Sequence, residues 1–286
     1  MNNLSWIIFA LLAAFFSGIT SVLAKVGIKD VDSNLATAIR TVIILIFSII
    51  LVLFFKSFDE IYNLNIKNTI FLILSGITTS LLWISYFKAL QYGSVSKVTP
   101  IDKTSIVLTL VLSSIFLNES ITFIKITSII LILSGTFLMV KKEEETNNKW
   151  IIYAILTAIF ACLSTILSKI GLNNIDSNFA SLLRTFIALI IIWIIVLINK
   201  KYKEIKYINK KAWLFIILSG LSTGLSWLCY FKALQDGEAS IVFPIEKLSV
   251  LVAVIFSWVF LKENATIKSI IGLILIVIGT SILIFK

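Results

Sequence analysis

Apolar blocks close to twenty residues long alternate along the chain with short polar breaks, and this spacing predicts ten helices: 4–24, 35–55, 69–90, 95–117, 121–140, 150–168, 179–198, 213–234, 240–261 and 266–285. About twenty apolar residues, rising 1.5 Å each, cross the ~30 Å hydrocarbon core of a bilayer. The blocks are apolar on every side. Strands of a membrane barrel would instead alternate polar and apolar positions over roughly ten residues. Isoleucine and valine raise strand propensity in water, but in lipid they suit helices equally well. The longest breaks are 56–68, 141–149 and 199–212, none large enough for a catalytic domain. The first block has no basic residues ahead of it and has a counterpart beginning at Trp150, so it reads as a retained span and not a cleaved leader.

The pattern is itself repeated. Residues 75–103 read SGITTSLLWISYFKALQYGSVSKVTPIDK, and residues 219–247 read SGLSTGLSWLCYFKALQDGEASIVFPIEK, an ungapped offset of 144. Over 75–91 against 219–235, eleven of seventeen positions are identical, where chance would give about two. The register also pairs Trp6 with Trp150, Lys25 with Lys169, Arg40 with Arg184, Pro100 with Pro244, Glu119 with Glu263 and Gly135 with Gly279. The chain is therefore one five-helix unit used twice, residues 1–144 and 145–286. Five is odd, so the second copy enters the membrane from the opposite face. The two copies are then related by a pseudo-two-fold axis in the membrane plane, the inverted-repeat plan of secondary transporters. The fold class is an all-α polytopic membrane protein.

Composition agrees. The chain is 59% apolar with a mean hydropathy of +1.04, more apolar surface than a soluble protein of 286 residues can hide from water. Its net charge of +10 comes from lysines set between the apolar blocks, which reads as loop charge fixing orientation, with no nucleic-acid partner. Six lysines (200, 201, 203, 206, 210 and 211) crowd the break between spans seven and eight, and Lys141, Lys142 and Lys149 occupy that between five and six. The break between two and three carries Lys56 and Lys67, and that between four and five only Lys125. The positive-inside rule then places the odd breaks in the cytoplasm and both termini outside a multi-pass cell-membrane protein. Cys162 and Cys229 fall in apolar blocks and read as small packing side chains. Ala10, Ala14 and Gly18, with Ala154, Ala158 and Cys162, form small-residue faces at four-residue spacing, suited to close helix approach.

Charges inside spans are the strongest candidates for chemistry. Asp102 and Lys103 lie roughly 6–10 Å inside span four, two residues after Pro100, which leaves a carbonyl without its usual donor. Glu246 and Lys247, after Pro244, repeat the arrangement. Such groups are costly in lipid and must face a cavity or a partner: a structural ion pair in one reading, an anion-binding lysine or a proton-coupled carboxylate in the other. Adjacent helical residues point about 100° apart, so the carboxylate's partner can lie on another span. Arg40 and Lys88, with their copies Arg184 and Lys232, add one basic cluster near each membrane face. Arginine cannot shed its charge, which makes Arg40 and Arg184 the better cavity candidates; lone lysines such as Lys25 and Lys88 can snorkel to the headgroups. Trp83 and Tyr86, with Trp227 and Tyr230, lie on aromatic stripes that read as packing or as a wall gripping an organic substrate. Glu119 and Glu263 read as surface or inter-helix contacts.

The chain has no histidine, and GxxxxGK[ST] does not occur in it, so no histidine-based triad, histidine–metal site or nucleotide-driven motor is encoded. No cofactor is expected, and an enzyme is the weakest class of reading. Ten short spans, the 5+5 duplication, the G…W.SYFKAL…G motif, the proline soon after it and Glu119/Glu263 closing spans four and nine resemble EamA-type members of the drug/metabolite transporter superfamily. The resemblance implies secondary transport of a small metabolite through a central cavity, export more than import, by alternating access. Protons are the candidate coupling ion, and the assembly is a monomer or homodimer. The four-span multidrug relatives use a glutamate in their first span; spans one and six here carry no acid. The basic excess instead favours a substrate with a carboxylate or phosphate. A carrier of lipid headgroups, or a purely structural membrane protein, is the alternative and would need a lateral opening to lipid.

Overall fold

A computed structural model describes residues 5–27, 31–92, 104–138, 149–260 and 267–284. The helices are α1 (Ser5–Gly27), α2 (Ser33–Phe54), α3 (Ile66–Tyr92), α4 (Ser105–Leu117), α5 (Phe123–Leu138), α6 (Lys149–Gly171), α7 (Ser177–Ile198), α8 (Lys210–Asp236), α9 (Ala239–Glu246), α10 (Ser249–Phe260) and α11 (Ile267–Ile284). Among the described residues there is no strand. Six of these helices are long and apolar enough to cross a bilayer, and α4, α5 and most of α11 are shorter apolar helices. Large apolar side chains such as Leu53, Phe54, Ile115, Ile130, Ile194 and Ile274 face outward, as they must toward acyl chains.

The repeat is visible at the helix ends. Ser5–Gly27 recurs as Lys149–Gly171, Ser33–Phe54 as Ser177–Ile198, and Ile66–Tyr92 as Lys210–Asp236, each displaced by 144 residues. Lys56 and Lys200, just past α2 and α7, both turn the chain through left-handed backbone at φ 55° and 56°. Each then leads into a 3-10 turn, Ser57–Asp59 and Lys201–Tyr207.

Contacts repeat by exchange of the halves. α1 packs on α8 and α6 on α3; α2 packs on α8 and α7 on α3; α1 packs on α10 and α6 on α4. The self-paired helices are α2 with α7 and α5 with α11. In the last pair, a Cβ at Gly135 would overlap the Gly272 carbonyl, and one at Gly279 would sit 2.8 Å from the Ser128 carbonyl. As residue numbers rise along α5, those of its neighbours on α11 fall, so equivalent helices of the two copies run antiparallel. The two-fold axis is therefore perpendicular to the helices and lies in the membrane plane: the repeats are inverted.

Polar side chains stitch the halves. Ser222 Oγ donates to the Phe16 carbonyl and Ser226 Oγ to the Ala13 carbonyl, both at 2.8 Å, tying α8 to α1. Ser75 and Ser168 hydroxyls lie 3.0 Å apart between α3 and α6. Without water, hydroxyls in a membrane seek such partners. The small faces of α1 and α6 are buried, and Gly18 lies against Val252 and the Ser249 carbonyl. Cys162 and Cys229 are free and buried in the largest apolar core.

Three expectations need correction. Span nine is not one continuous helix: it breaks after Glu246 and restarts at Ser249, because Pro244 cannot donate within the turn and Lys247 N–H is shared between the Phe243 and Pro244 carbonyls. Lys125 is not a solvated loop charge; it sits in the first turn of α5, fully buried. Lys169, the copy of Lys25, does not snorkel in the way expected of Lys25. Its ammonium caps the C-terminal end of α8, donating to the carbonyls of Leu234, Gln235 (3.3 Å) and Gly237 (2.7 Å).

Candidate substrate site between the two halves

α2 and α7 place the two arginines. Each helix starts at an Asp-Ser-Asn sequence whose aspartate caps it. Asp32 Oδ1 accepts from the Asn34 and Leu35 amides at 3.0 and 3.1 Å, and Asp176 Oδ1 from those of Asn178 and Phe179 at 2.9 and 3.3 Å. With its start fixed there, each helix carries its arginine roughly 10 Å in, about 5 Å short of its own middle. The two arginines thus lie deeper than the clusters expected near the membrane faces and approach the centre from opposite sides.

Each arginine crosses to the other half. Arg40 Nη2 donates to Thr223 Oγ1 on α8 at 2.7 Å. Arg184 donates to Thr79 Oγ1 on α3 from Nε (3.1 Å) and Nη2 (2.8 Å), and Nη2 also reaches Ser164 Oγ at 3.3 Å. The hydroxyl shells are equivalent: Thr20 lies 3.4 Å from Thr223, and Ser164 lies 2.7 Å from Thr79. Aromatic faces cover the guanidinium groups, Trp83 at 5.7 Å for Arg40, and Trp227 at 5.0 Å with Phe231 at 4.9 Å for Arg184.

Both arginines are buried, 4% and 7% exposed, and neither is ion-paired among the described residues. Among the described residues, Arg40 Nε and Arg184 Nη1 are buried without a hydrogen-bond partner. A buried cation with an unmet donor costs several kcal/mol unless an anion or water meets it. Thr37, Arg40, Thr41, Ile44, Trp83, Ala188, Ile192, Thr223 and Trp227 enclose a small cavity here, with room for about one water molecule. Trp227 joins the two clusters, since it lines this cavity and also covers Arg184.

The other expected residues fall elsewhere. Asp102, Lys103 and Glu263 lie outside the described residues. In the second copy, Glu246 Oε1 accepts from Ser17 Oγ at 3.1 Å, and Lys247 Nζ lies 3.4 Å from Glu246 Oε2 and 4.5 Å from the Phe243 ring centre. The neighbouring charges do meet each other: Lys247 closes the last turn of α9 in helical backbone, and its long side chain reaches back to Glu246. Lys88 is exposed, with its ammonium over the Tyr153 ring. Lys232 pairs with Asp236 at 3.2 Å. Neither lines the cavity. Tyr86 packs against the small cluster of Ala89 and Ala154, and Tyr230 is buried with its hydroxyl 3.0 Å from that of Thr165. Sequence reasoning missed the capping aspartates and the partners Thr20 and Ser164. The repeated Asp-Ser-Asn ahead of each apolar block was the available signal.

The profile of the EamA-like transporter family matches residues 4–141 and again 148–285. An uncharacterized transporter of Sinorhizobium is 39% identical over 137 residues, 48% of this chain and 97% of that protein, which is thus little longer than one repeat. An uncharacterized transporter of Archaeoglobus fulgidus is 20% identical over 278 residues, 97% of each chain. One solved crystal structure superposes with a TM-score of 0.78 over 97% of this chain and 96% of its own, at 14% identity, a likeness of fold alone. With the family's profile accounting for both halves, this ten-span, inverted-repeat membrane protein belongs to the EamA-like transporter family of the drug/metabolite transporter superfamily.

Proposed function

We propose that the chain carries a small organic anion, bearing a carboxylate or phosphate, across the cell membrane by alternating access, export being the favoured direction. Arg40 and Arg184 are its anion-binding groups. One observation carries the reading: two arginines, equivalent under the repeat, are buried between the halves without a carboxylate partner among the described residues, each with an unmet guanidinium donor. A guanidinium binds carboxylate and phosphate oxygens through paired N–H groups, and Trp83 and Trp227 supply flat walls for the organic part. Because the two groups approach the centre from opposite sides, each can meet the substrate when its own side is open. Glu246, hydrogen-bonded by Ser17 and paired with Lys247 at the break in span nine, is the candidate coupling carboxylate, with protons as the coupling ion. Asp102 and Lys103 hold the equivalent sequence positions in the first copy. The lysine-rich breaks favour an orientation with both termini outside the cell.

A lateral apolar groove does exist, lined by Leu11, Phe15, Leu248, Val252, Val277 and Ile284 among others. It shares no lining residue with the arginine cavity, so it does not favour a lipid-headgroup carrier.

The test is thermal stabilisation of the purified protein by amino acids, di- and tricarboxylates, sugar phosphates and organic cations. An anion should stabilise the parent protein, and Arg40→Ala and Arg184→Ala should each remove that shift. Stabilisation by cations alone, or an anion effect unchanged in both variants, would refute the assignment.

A further inference from the structure

The inverted repeat makes the two faces alike in outline, but their charges differ. On the face shared by the α4–α5 and α8–α9 connections, the second half's span nine is held to the first half by charge at several points. Glu119 accepts the Ala239 amide on Oε1 (2.7 Å) and the Ser240 amide on Oε2 (2.9 Å), capping the start of α9. Lys125, fully buried, pairs with Glu238, the residue immediately before α9, and donates to the Ser120 carbonyl at 2.9 Å. Lys169 closes the preceding end of α8 through the Leu234 and Gly237 carbonyls. The chain turns from α8 into α9 inside this cage.

The repeat does not copy its central pair. The position equivalent to Lys125 is Ser269, and that equivalent to Glu238 is Ser94. Among the described residues, the opposite face has a cross-half ion pair, Lys201 with Asp32, but it is 3.7 Å long and both side chains are partly exposed. Exposed pairs of that kind contribute at most about 1 kcal/mol.

We infer that Glu119, Lys125 and Glu238 form a one-sided latch that holds the α4–α5 and α8–α9 face shut, so that the transporter rests closed on this face. The physical reason is the burial of Lys125. Glu238 itself is half exposed; with it in place the charge of Lys125 is met, and with Glu238 neutral a buried ammonium keeps only the Ser120 carbonyl. Opening this face is the movement that returns water to it. The latch also ties opening to span nine, since α9 runs from Glu119 at the surface to Glu246 at the break inside the membrane.

The test uses nitroxide labels at Ile121→Cys and Asp236→Cys, both exposed positions on this face, in a background with Cys162 and Cys229 replaced by alanine. Pulsed electron resonance reads the distance between the labels. The parent protein should give one dominant short distance. Glu238→Gln should raise a longer-distance population by on the order of tenfold. Glu119→Gln, which keeps one capping oxygen, loses the other and leaves the ion pair intact, should raise it less. Lys201→Ala should leave the distribution unchanged. Unchanged distributions in both glutamine variants, or equal widening by Lys201→Ala, would overturn the latch.

Discussion

Arginine and threonine make an exchangeable bond at the centre of this protein. Thr79 Oγ1 receives two N–H groups of Arg184, and Thr223 Oγ1 receives one of Arg40. Both hydroxyls keep the guanidinium aimed between the halves without neutralising its charge, as a carboxylate would. An anion can then take up the remaining donors. Arg184→Lys keeps the charge but loses the planar fork, and should weaken anion binding by about tenfold in the stabilisation assay while folded protein is retained. Thr79→Val should act differently. It strands two buried N–H groups, which costs about 1–3 kcal/mol, and so should lower the ligand-free melting temperature by about 5 °C. A melting temperature equal to that of the parent would show that water or another hydroxyl, Ser164 being the nearest, replaces the threonine.

At the level of helices, the packing that defines the fold depends on a few close approaches. Gly279 brings α11 onto the backbone of α5, where a Cβ would stand 2.8 Å from the Ser128 carbonyl; backbone cannot yield as a side-chain tip can. Gly279→Leu should therefore force the pair apart and abolish the folded peak in fluorescence-detected size exclusion. Ile278→Leu, one residue away and 45% exposed to the lipid side, should leave it unchanged. Helices and their number were legible because hydrocarbon demands about twenty apolar residues per crossing, and the inversion was legible because five is odd. The break at Glu246–Lys247 was not. The block 240–261 is apolar enough to read as one helix, and Pro244 alone does not say whether a helix bends or stops. Arg40 and Arg184 were readable as cavity residues from their fixed charge, but their threonine partners lie 183 and 105 residues away, and only the fold brings them together. Lys125 misled for a related reason. Its first-turn position looks like a loop from sequence, and its charged partner, Glu238, is contributed by the other half.

The whole molecule is held together between its halves more than within them. α1 packs chiefly on α8, α3 on α6, α5 on α11 and α2 on α7, each pair joining residues before and after the central connection. Within the first half, α2 and α3 touch only slightly. A single half therefore lacks most of the surfaces that bury its small-residue faces and meet its hydroxyls, and in lipid there is no hydrophobic drive to compensate. Two chains cut between residues 144 and 145 should consequently reassemble when expressed together. A tag on the first should recover the second, and the recovered pair should keep the anion-dependent thermal shift of the intact protein. The first half expressed alone should behave otherwise: it can bury its faces only against a second copy of itself, so it should elute as a dimer or an aggregate and never as a stable monomer. A monodisperse monomeric half would mean that the packing within one repeat suffices. The cross-half contacts of α1, α3 and α5 would then be docking between two finished domains, and alternating access would be a hinge between them and not a rearrangement of one shared core.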